Sequence, residues 1–363
     1  MKIIKLTPNN YKQTIKEAVG VLKKGGLVIY PTETVYGAGV DAAQQRAVDK
    51  LLHYKSRREG KPLSIAVCDQ KMAENYVVVN KQAQQLYQKF LPGPFTIISQ
   101  SKGNLARGVA SEFNTLGIRI PDYQLILDLV KELNSAITAT SANASEKKRP
   151  YSIQDILNNL SQKQKNLIEL VIDAGQLPKN DPSIVIDTTL STPLTIRDSS
   201  QQNFDFNKKL NKKVINFISQ SDKETQEIAG KILLKNWGKI KEKGLVIGLN
   251  GELGAGKTVF AKGIAKFLKI EEKITSPTYT YLKEYQFNRH QIKGNFFHLD
   301  LWKINDPLDA QTFQVKKLIK SKNVLAIEWW TQTNTLVPKI NPDLIINIKV
   351  IAENKRQLTL FEK

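Results

Sequence analysis

One cysteine, Cys68, stands in 363 residues, so the chain cannot form an internal disulfide, and three histidines are too few for a zinc cluster at the usual spacings. Long hydrophobic runs are missing too. No stretch of about 18 apolar residues occurs, and the opening MKIIKLTPNNYK turns polar before a signal-peptide core could form. These absences predict a cytoplasmic protein with no membrane partner. Nothing recurs at a fixed period, which excludes solenoids and propellers. Arginine is scarce as well: 9 of the 54 basic residues, the other 45 being lysine.

What is present is globular: 41% hydrophobic and 24% charged residues, with a mean hydropathy of -0.33. At about 150 residues per domain the length predicts two domains or one large one. The net charge of +20 is spread evenly, +9 over residues 1–210 and +11 over residues 211–363. Such a field attracts polyanions, nucleic acid among them. Lysine excess beside abundant Asn and Ile is equally what compositional drift produces, so charge alone does not choose.

The polar stretch SSQQNFDFNKKLNKK at 199–213 has neither helical nor alternating periodicity and follows an apolar segment, Ser183 to Ile196. It divides the chain into a domain at 1–203, a linker at 204–215 and a domain at 216–363. On both sides apolar β-branched runs alternate with amphipathic stretches, predicting two α/β domains. In the first, Leu27–Tyr30, Leu63–Val67 and Ala136–Thr140 read as buried strands and Gln82–Leu91 as a helix. In the second, Gly244–Leu249, Phe296–Leu299 and Val324–Ile327 read as strands, the last two ending at Asp300 and Glu328.

Residues 251–258, GELGAGKT, match G-x-x-x-x-G-K-[ST] in full. Gly251, Gly254 and Gly256 let the backbone curl so that N–H groups, including that of Ala255, point at phosphate oxygens, while Lys257 neutralises the outer phosphates and Thr258 holds Mg²⁺. The strand before the motif and the helix after it, Val259 to Leu268, provide the required context. Nucleotide hydrolysis also needs carboxylates near the metal. Asp300 in FFHLDLW and Glu328 in LAIEWW sit at strand ends, where open α/β sheets place their ligands. His298 and Trp329 have core packing as a competing reading.

From Ser221 onward the chain resembles the TsaE family, P-loop ATPases of bacterial tRNA threonylcarbamoyladenosine synthesis. The matching pieces are LNGELGAGKT, ITSPTYTYLKEY from Ile274, FHLDLW from Phe297 and IEWW from Ile327. The resemblance implies ATP and Mg²⁺ as ligands, with Thr258 and Glu328 at the metal and Asp300 beside it. It also implies a switch-like loop at Ser276–Thr278, Thr225 on the base side of the nucleotide, and TsaB and TsaD as partners. Where the family usually reads Tyr-Arg after the aspartate, this chain has Trp302 and Lys303, losing a planar guanidinium.

The first 200 residues lack a Walker motif yet carry dense anion-binding chemistry. PTETVYGAG follows the strand Leu27–Tyr30, and KSRREGKPL at 55–63 brings four cations ahead of another strand. LPGPFT at 91–96, TLGIRIPD at 115–122 and TATSANAS at 138–145 repeat the pattern of strand and polar tip. Ser141 and Asn143 offer neutral donors and Arg119 a bidentate fork for carboxylate or phosphate. Together these tips predict a cavity for a substrate with several negative groups.

In that order the motifs resemble the YrdC and TsaC family of threonylcarbamoyl-adenylate synthases, over roughly residues 8–200. The resemblance implies an open twisted sheet with helices, and L-threonine, bicarbonate and ATP as substrates. It places Thr32, Thr34, Arg119 and Ser183 at threonine. It assigns Lys55, Arg57, Lys61, Thr115, Ser141, Asn143, Arg149 and Arg197 to the nucleotide and its phosphates. Lys55, Arg57, Ser141 and Asn143 carry the catalytic role there, as Asp300 and Glu328 do in the second half. Three positions depart from the family: Ser183 is followed by Ile184 in place of threonine, Glu146 replaces a glycine, and Arg197 is followed by Asp198 and Ser199.

The implied chemistry joins the threonine amine and CO₂ as a carbamate whose oxygen attacks the α-phosphorus of ATP, expelling pyrophosphate. A transient carbamate must be kept dry and aligned, so positioning and charge stabilisation dominate and no strong base is needed. This agrees with a region rich in Lys, Arg, Ser and Thr and poor in His. The competing reading is a basic RNA-binding protein with an ATP-driven conformational switch; it predicts salt-sensitive RNA binding and no pyrophosphate release. A small-molecule kinase in the second half would need lid arginines, and only Arg289 and Arg356 are available.

Overall fold

The computed structural model describes residues 1–55, 63–143, 148–198, 214–277, 281–302, 314–332 and 340–362. Among the described residues the chain forms two compact units. One runs Met1–Thr189 and resumes at Pro193; the other takes Leu190–Thr192 and the chain beyond the polar stretch. No described helix is long and apolar enough to cross a membrane.

The first unit is built on an 11-stranded mixed sheet. Its strands are β1 (Lys2–Lys5), β2 (Leu27–Tyr30), β3 (Gly37–Gly39), β4 (Ser64–Ala66), β5 (Val77–Val78), β6 (Phe95–Ser101), β7 (Thr115–Arg119), β8 (Ile137–Ser141), β9 (Ile168–Asp173), β10 (Ile184–Asp187) and β11 (Leu194–Arg197). They lie in the order β1-β9-β2-β3-β8-β4-β7-β6-β10-β11, with β5 on β6. Parallel pairs such as β2 with β9 and β4 with β7 are mixed with antiparallel ones such as β3 with β8.

Two helices cover part of this sheet because their apolar residues recur at helical spacing. Ile15, Ala18, Val19 and Leu22 of the helix Tyr11–Lys23 meet Leu125, Ile126, Leu129, Val130 and Leu133 of the helix Gln124–Leu133 over Val28, Tyr30, Leu170 and Ile172. The second helix stops at Asn134, which takes the left-handed conformation at φ 54. Leu22 and Leu170 are fully buried, so truncating either to alanine costs about 2–5 kcal/mol.

The second unit has a 7-stranded sheet. Its strands are β12 (Val214–Ser219), β13 (Leu245–Asn250), β14 (Leu282–Arg289), β15 (Ile292–Asp300), β16 (Val324–Glu328), β17 (Leu344–Ala352) and β18 (Lys355–Glu362), ordered β12-β18-β17-β13-β16-β15-β14. Strands β17, β13, β16 and β15 are parallel, and antiparallel hairpin partners flank them. The helices Asp222–Lys235 and Lys257–Leu268 pack together so closely that a Cβ on Gly263 would lie 2.6 Å from the Gln226 Cα. The parallel core brings the C-terminal tips of β13, β16 and β15 side by side, with Leu249 opposite Glu328 and Glu328 opposite Asp300.

Candidate functional sites

The phosphate loop of the second unit begins where β13 ends. Gly256, at φ 108, caps the next helix, which starts at Lys257, two residues earlier than the sequence pattern predicts. The lysine and Thr258 are therefore its first residues, and its orphan N–H groups face the loop. Gly251 sits at φ 152 and a Cβ there would lie 2.5 Å from the Ile348 carbonyl oxygen, so the loop hugs β17. Lys257 Nζ donates to the carbonyls of Gly251 at 2.8 Å and Glu252 at 2.9 Å, inside its own loop. Burial pushes its pKa down, while Glu328 and Asp300 pull it back up.

Thr258 Oγ1 donates to Glu328 Oε1 at 3.0 Å, and His298 Nε2 donates to the same oxygen at 2.8 Å. Asp300 is 2% exposed and Glu328 3%; Asp300 Oδ1 accepts the Trp302 N–H at 2.9 Å. The structure thus gathers Lys257, Thr258, Asp300 and Glu328 at neighbouring strand and helix ends. Among the described residues no three His, Cys, Asp or Glu side chains form a metal-holding group. Two carboxylates and a hydroxyl are nevertheless hard oxygen donors suited to Mg²⁺, which binds one or two carboxylates and completes its shell with water and phosphate oxygens.

Thr225 does not join them directly. It is fully buried, and its hydroxyl is engaged with Ser219 Oγ at 2.8 Å and the Ser221 carbonyl at 3.2 Å. Neither arginine is a lid: Arg289 is 1% exposed, donates to the Phe267 carbonyl and lies over the Phe267 ring. Arg356 is committed to the phosphate loop, its Nε donating to the Ala255 carbonyl at 3.1 Å while Nη2 pairs with Asp222 at 2.9 Å. Of the loop Ser276–Thr278, Thr278 lies outside the described residues, as does Lys303.

Two residues have a part here that the motifs did not convey: Trp329, for which packing was the competing reading, and Arg356, weighed only as a lid arginine. Trp329 adopts φ 60 and lies with its ring 4.0 Å from Lys257 Nζ, a cation–π contact, while meeting the Trp302 ring at 4.2 Å, tilted by 35°. Its position next to a strand-end acid was the only available signal. Arg356, distant in sequence and outside every motif, carried none.

In the first unit the residues after β2 form a hydroxyl-rich turn. Thr32 Oγ1 lies 3.1 Å from Thr34 Oγ1, donates to the Val35 carbonyl at 2.6 Å and accepts the Thr34 N–H at 3.2 Å. The buried Tyr36 ties this turn to the end of β9, donating to the Gly175 carbonyl at 2.8 Å, and its own carbonyl accepts the Ala142 N–H at 2.8 Å. That bond joins the turn to the segment Ser141–Asn143. On the far side of that segment, Lys55 Nζ donates to the carbonyls of Ser141 and Asn143, each at 2.7 Å. Burial pushes Lys55 down to about 8. Arg57 and Lys61 fall outside the described residues.

Glu33, inside the same turn, meets Arg119 at the tip of β7, 2.5 Å from carboxylate to guanidinium. Beyond it Arg197 donates from Nε to the Ser183 carbonyl and from Nη2 to Ser183 Oγ, both at 2.9 Å, and Ser183 Oγ is 2.9 Å from Thr96 Oγ1. The Arg197 side chain keeps solvent access, yet crowding of its guanidinium by the fold, then the nearby Arg119 and Arg149 cations, lower its pKa to about 10, leaving it charged at neutral pH. Arg149 also pairs with Asp181 at 3.7 Å.

Three arginines therefore converge on one surface that runs through Glu33 and the hydroxyl turn to Lys55. Thr115 is set apart: it begins β7 while Arg119 ends it, about 13 Å away along the strand, and its hydroxyl is bonded to Ser111 Oγ at 2.7 Å. Glu33 is the residue that the sequence pattern did not single out.

Two family models match the chain. Sua5_yciO_yrdC, described as Telomere recombination, matches residues 20–199, and TsaE, described as Threonylcarbamoyl adenosine biosynthesis protein TsaE, matches residues 219–358. The chain is 37% identical over 202 residues to a Putative threonylcarbamoyl-AMP synthase of Methanocaldococcus jannaschii, spanning 54% of this chain and 92% of that protein. It is 32% identical over 184 residues to the Threonylcarbamoyl-AMP synthase of Pyrococcus abyssi, spanning 50% of this chain and 53% of that one, about half its length. Among solved structures, P. abyssi Sua5 complexed with L-threonine aligns over 96% of this chain and 100% of its own, with a TM-score of 0.53 and 19% identity, a likeness of fold alone.

Proposed function

We propose, since this chain belongs to the Sua5/YciO/YrdC family and continues into a segment that the TsaE model matches, that its first unit makes threonylcarbamoyl-AMP and its second hydrolyses ATP in support of the same tRNA modification. The observation that carries the first reading is the convergence of Arg119, Arg149 and Arg197 beside the Thr32–Thr34 turn and the Lys55-held segment Ser141–Asn143. A zwitterionic amino acid and a triphosphate together need this mixture of fixed cations and neutral donors.

In this reading Arg119 takes the threonine carboxylate, with Thr32, Thr34 and Ser183 beside it. Arg197 and Arg149 hold phosphate oxygens, as do Arg57 and Lys61 from the segment that follows Lys55. Lys55 shapes the segment from which the Ser141 hydroxyl and the Asn143 amide reach the nucleotide, while Thr115, buried at the other end of its strand and bonded to Ser111, stays outside this set. The carbamate formed from the threonine amine and CO₂ attacks the α-phosphorus, and pyrophosphate departs into the cationic surface. Effective concentration within a water-poor pocket, not acid–base chemistry, accelerates the step.

In the second unit the loop from Gly251 through Gly254, Ala255 and Gly256 cradles the phosphates, and Lys257 swings from its own carbonyls onto them. Thr258, Glu328 and Asp300 are the residues that would hold Mg²⁺, which when bound neutralises charge developing on the phosphates. With no acceptor pocket assigned, this ATPase acts through a partner, for which the TsaB and TsaD proteins are the candidates, with tRNA as the modified substrate. The test incubates the protein with ATP, threonine and bicarbonate and measures pyrophosphate. Release that depends on both threonine and bicarbonate is expected; equal release without threonine overturns the reading.

A further inference from the structure

Glu33 is a buried acid that the reaction outlined above leaves without a task. It stands between Thr32 and Thr34, with its backbone carbonyl held by Asn180 Nδ2 at 2.7 Å. Its carboxylate is 13% exposed and the Arg119 side chain 12%. Arginine and carboxylate normally meet as a fork, through two parallel bonds. Among the described residues a single bond is made, from Arg119 Nη2 to Glu33 Oε1, and both Glu33 Oε2 and Arg119 Nε are buried with no hydrogen-bond partner.

A buried ion pair rarely repays its desolvation unless its remaining polar atoms are satisfied, so stability alone does not account for this pair. It leaves one unspent acceptor and one unspent donor side by side. An α-amino acid presents the complement, an ammonium and a carboxylate separated by one carbon. We infer that Glu33 is the ammonium-binding residue of the amino-acid subsite: the substrate divides the Glu33–Arg119 pair, its carboxylate taking Arg119 and its α-ammonium taking Glu33.

This inference rests on the proposed synthase reading, to which it adds what recognises the nitrogen that becomes carbamoylated. It makes the site selective for α-amino acids over α-hydroxy acids, because replacing the ammonium by a hydroxyl would leave Glu33 charged, buried and without a counter-ion. The hydroxyls of Thr32 and Thr34 flank the same point, and hydroxyl groups cannot replace a charge at that nitrogen.

The experiment titrates the full chain calorimetrically with L-threonine and with 2,3-dihydroxybutanoate of the same configuration, in which a hydroxyl replaces the amine. The wild-type protein should prefer threonine by about tenfold or more, the usual effect of a hydrogen bond to a charged group. In Glu33→Gln the preference should shrink to about threefold or less through weaker threonine binding, with the dihydroxy acid bound nearly as before. Glu33→Asp, which keeps the charge one methylene back, should retain the preference and guards against a variant that fails to fold. An unchanged preference in Glu33→Gln, or equal weakening of both ligands as expected of a purely structural pair, overturns the inference while leaving the synthase reading intact if pyrophosphate release still requires threonine. A wild-type protein that binds neither ligand, with or without ATP, overturns both.

Discussion

Lys55 should make nucleotide binding and folding stability respond to pH in opposite directions. Its ammonium is enclosed and bonded to the Ser141 and Asn143 carbonyls, and burial lowers its pKa from 10.5 to about 8. If the triphosphate binds only the charged form, Lys55 is about nine-tenths charged at pH 7 and about one-tenth charged at pH 9, so affinity should weaken about tenfold over that interval. For folding, the sign reverses. Between the folded value of about 8 and the unfolded value of 10.5, the unfolded chain binds more protons, so stability rises with pH by up to about 3 kcal/mol. The assay is calorimetric binding of a non-hydrolysable ATP analogue at pH 7, 8 and 9, in a Lys257→Ala background that silences the phosphate loop. Urea unfolding at the same pH values gives the second arm. Lys55→Met should flatten both profiles. Affinity that stays constant from pH 7 to 9, or falls equally in Lys55→Met, would refute the reasoning.

Lys257→Ala should reduce ATP hydrolysis about 100-fold or more while pyrophosphate release stays within about twofold, since the two sites are on separate sheets; parallel losses would show the units to be coupled. Glu328→Gln should bind nucleotide within about threefold of wild type, because Thr258 and His298 can still donate to the amide oxygen, yet slow single-turnover hydrolysis at least about 30-fold. Normal hydrolysis in that variant would remove the carboxylate from the mechanism. Gly256→Ala places a Cβ 2.8 Å from Arg356 Nε at φ 108, a strain of about 1–3 kcal/mol that should appear as a roughly 10-fold loss of affinity in a fluorescent-nucleotide titration; unaltered binding would contradict the geometry.

The phosphate loop was legible because strand, loop and helix are contiguous and their residue types are set by backbone geometry. Asp300 and Glu328 were legible for a related reason: an acid closing an apolar run marks the tip of a buried strand, and parallel neighbours place such tips together. The helix faces of Ile15–Leu22 and Leu125–Leu133 follow from periodicity alone. Pairings across the sheet did not. Nothing near Glu33 announces Arg119, 86 residues away, and the mixed order of the first sheet comes from long-range pairing that local patterns do not encode. Thr115 and Arg119 are a different case. TLGIR reads as one strand, so the separation of its ends was available from the strand rise, but membership of a common motif obscured it. Trp329 stayed open between packing and function because its left-handed backbone depends on what surrounds it.

The departures from the family pattern become interpretable once their neighbours are known. Ile184 is 1% exposed and pairs with Phe95 across β10 and β6, so it points its bulk into the core, where a hydroxyl would need a partner. The polar work at that strand end is done one residue earlier: Ser183 Oγ lies between Thr96 Oγ1 and Arg197 Nη2. Arg197 bonds Ser183 through both Nε and Nη2, so Ser183 sets the plane of the guanidinium. In the second unit Trp302 retains the aromatic character expected after the aspartate and uses it to pack, tilted, against Trp329, whose ring covers Lys257. This contact connects the segment after β15 to the lysine that must reach the phosphates. A smaller side chain at Trp302 would therefore loosen the aromatic cover on Lys257 without touching the nucleotide, and the substitution conserves a mechanical link even where it changes the residue.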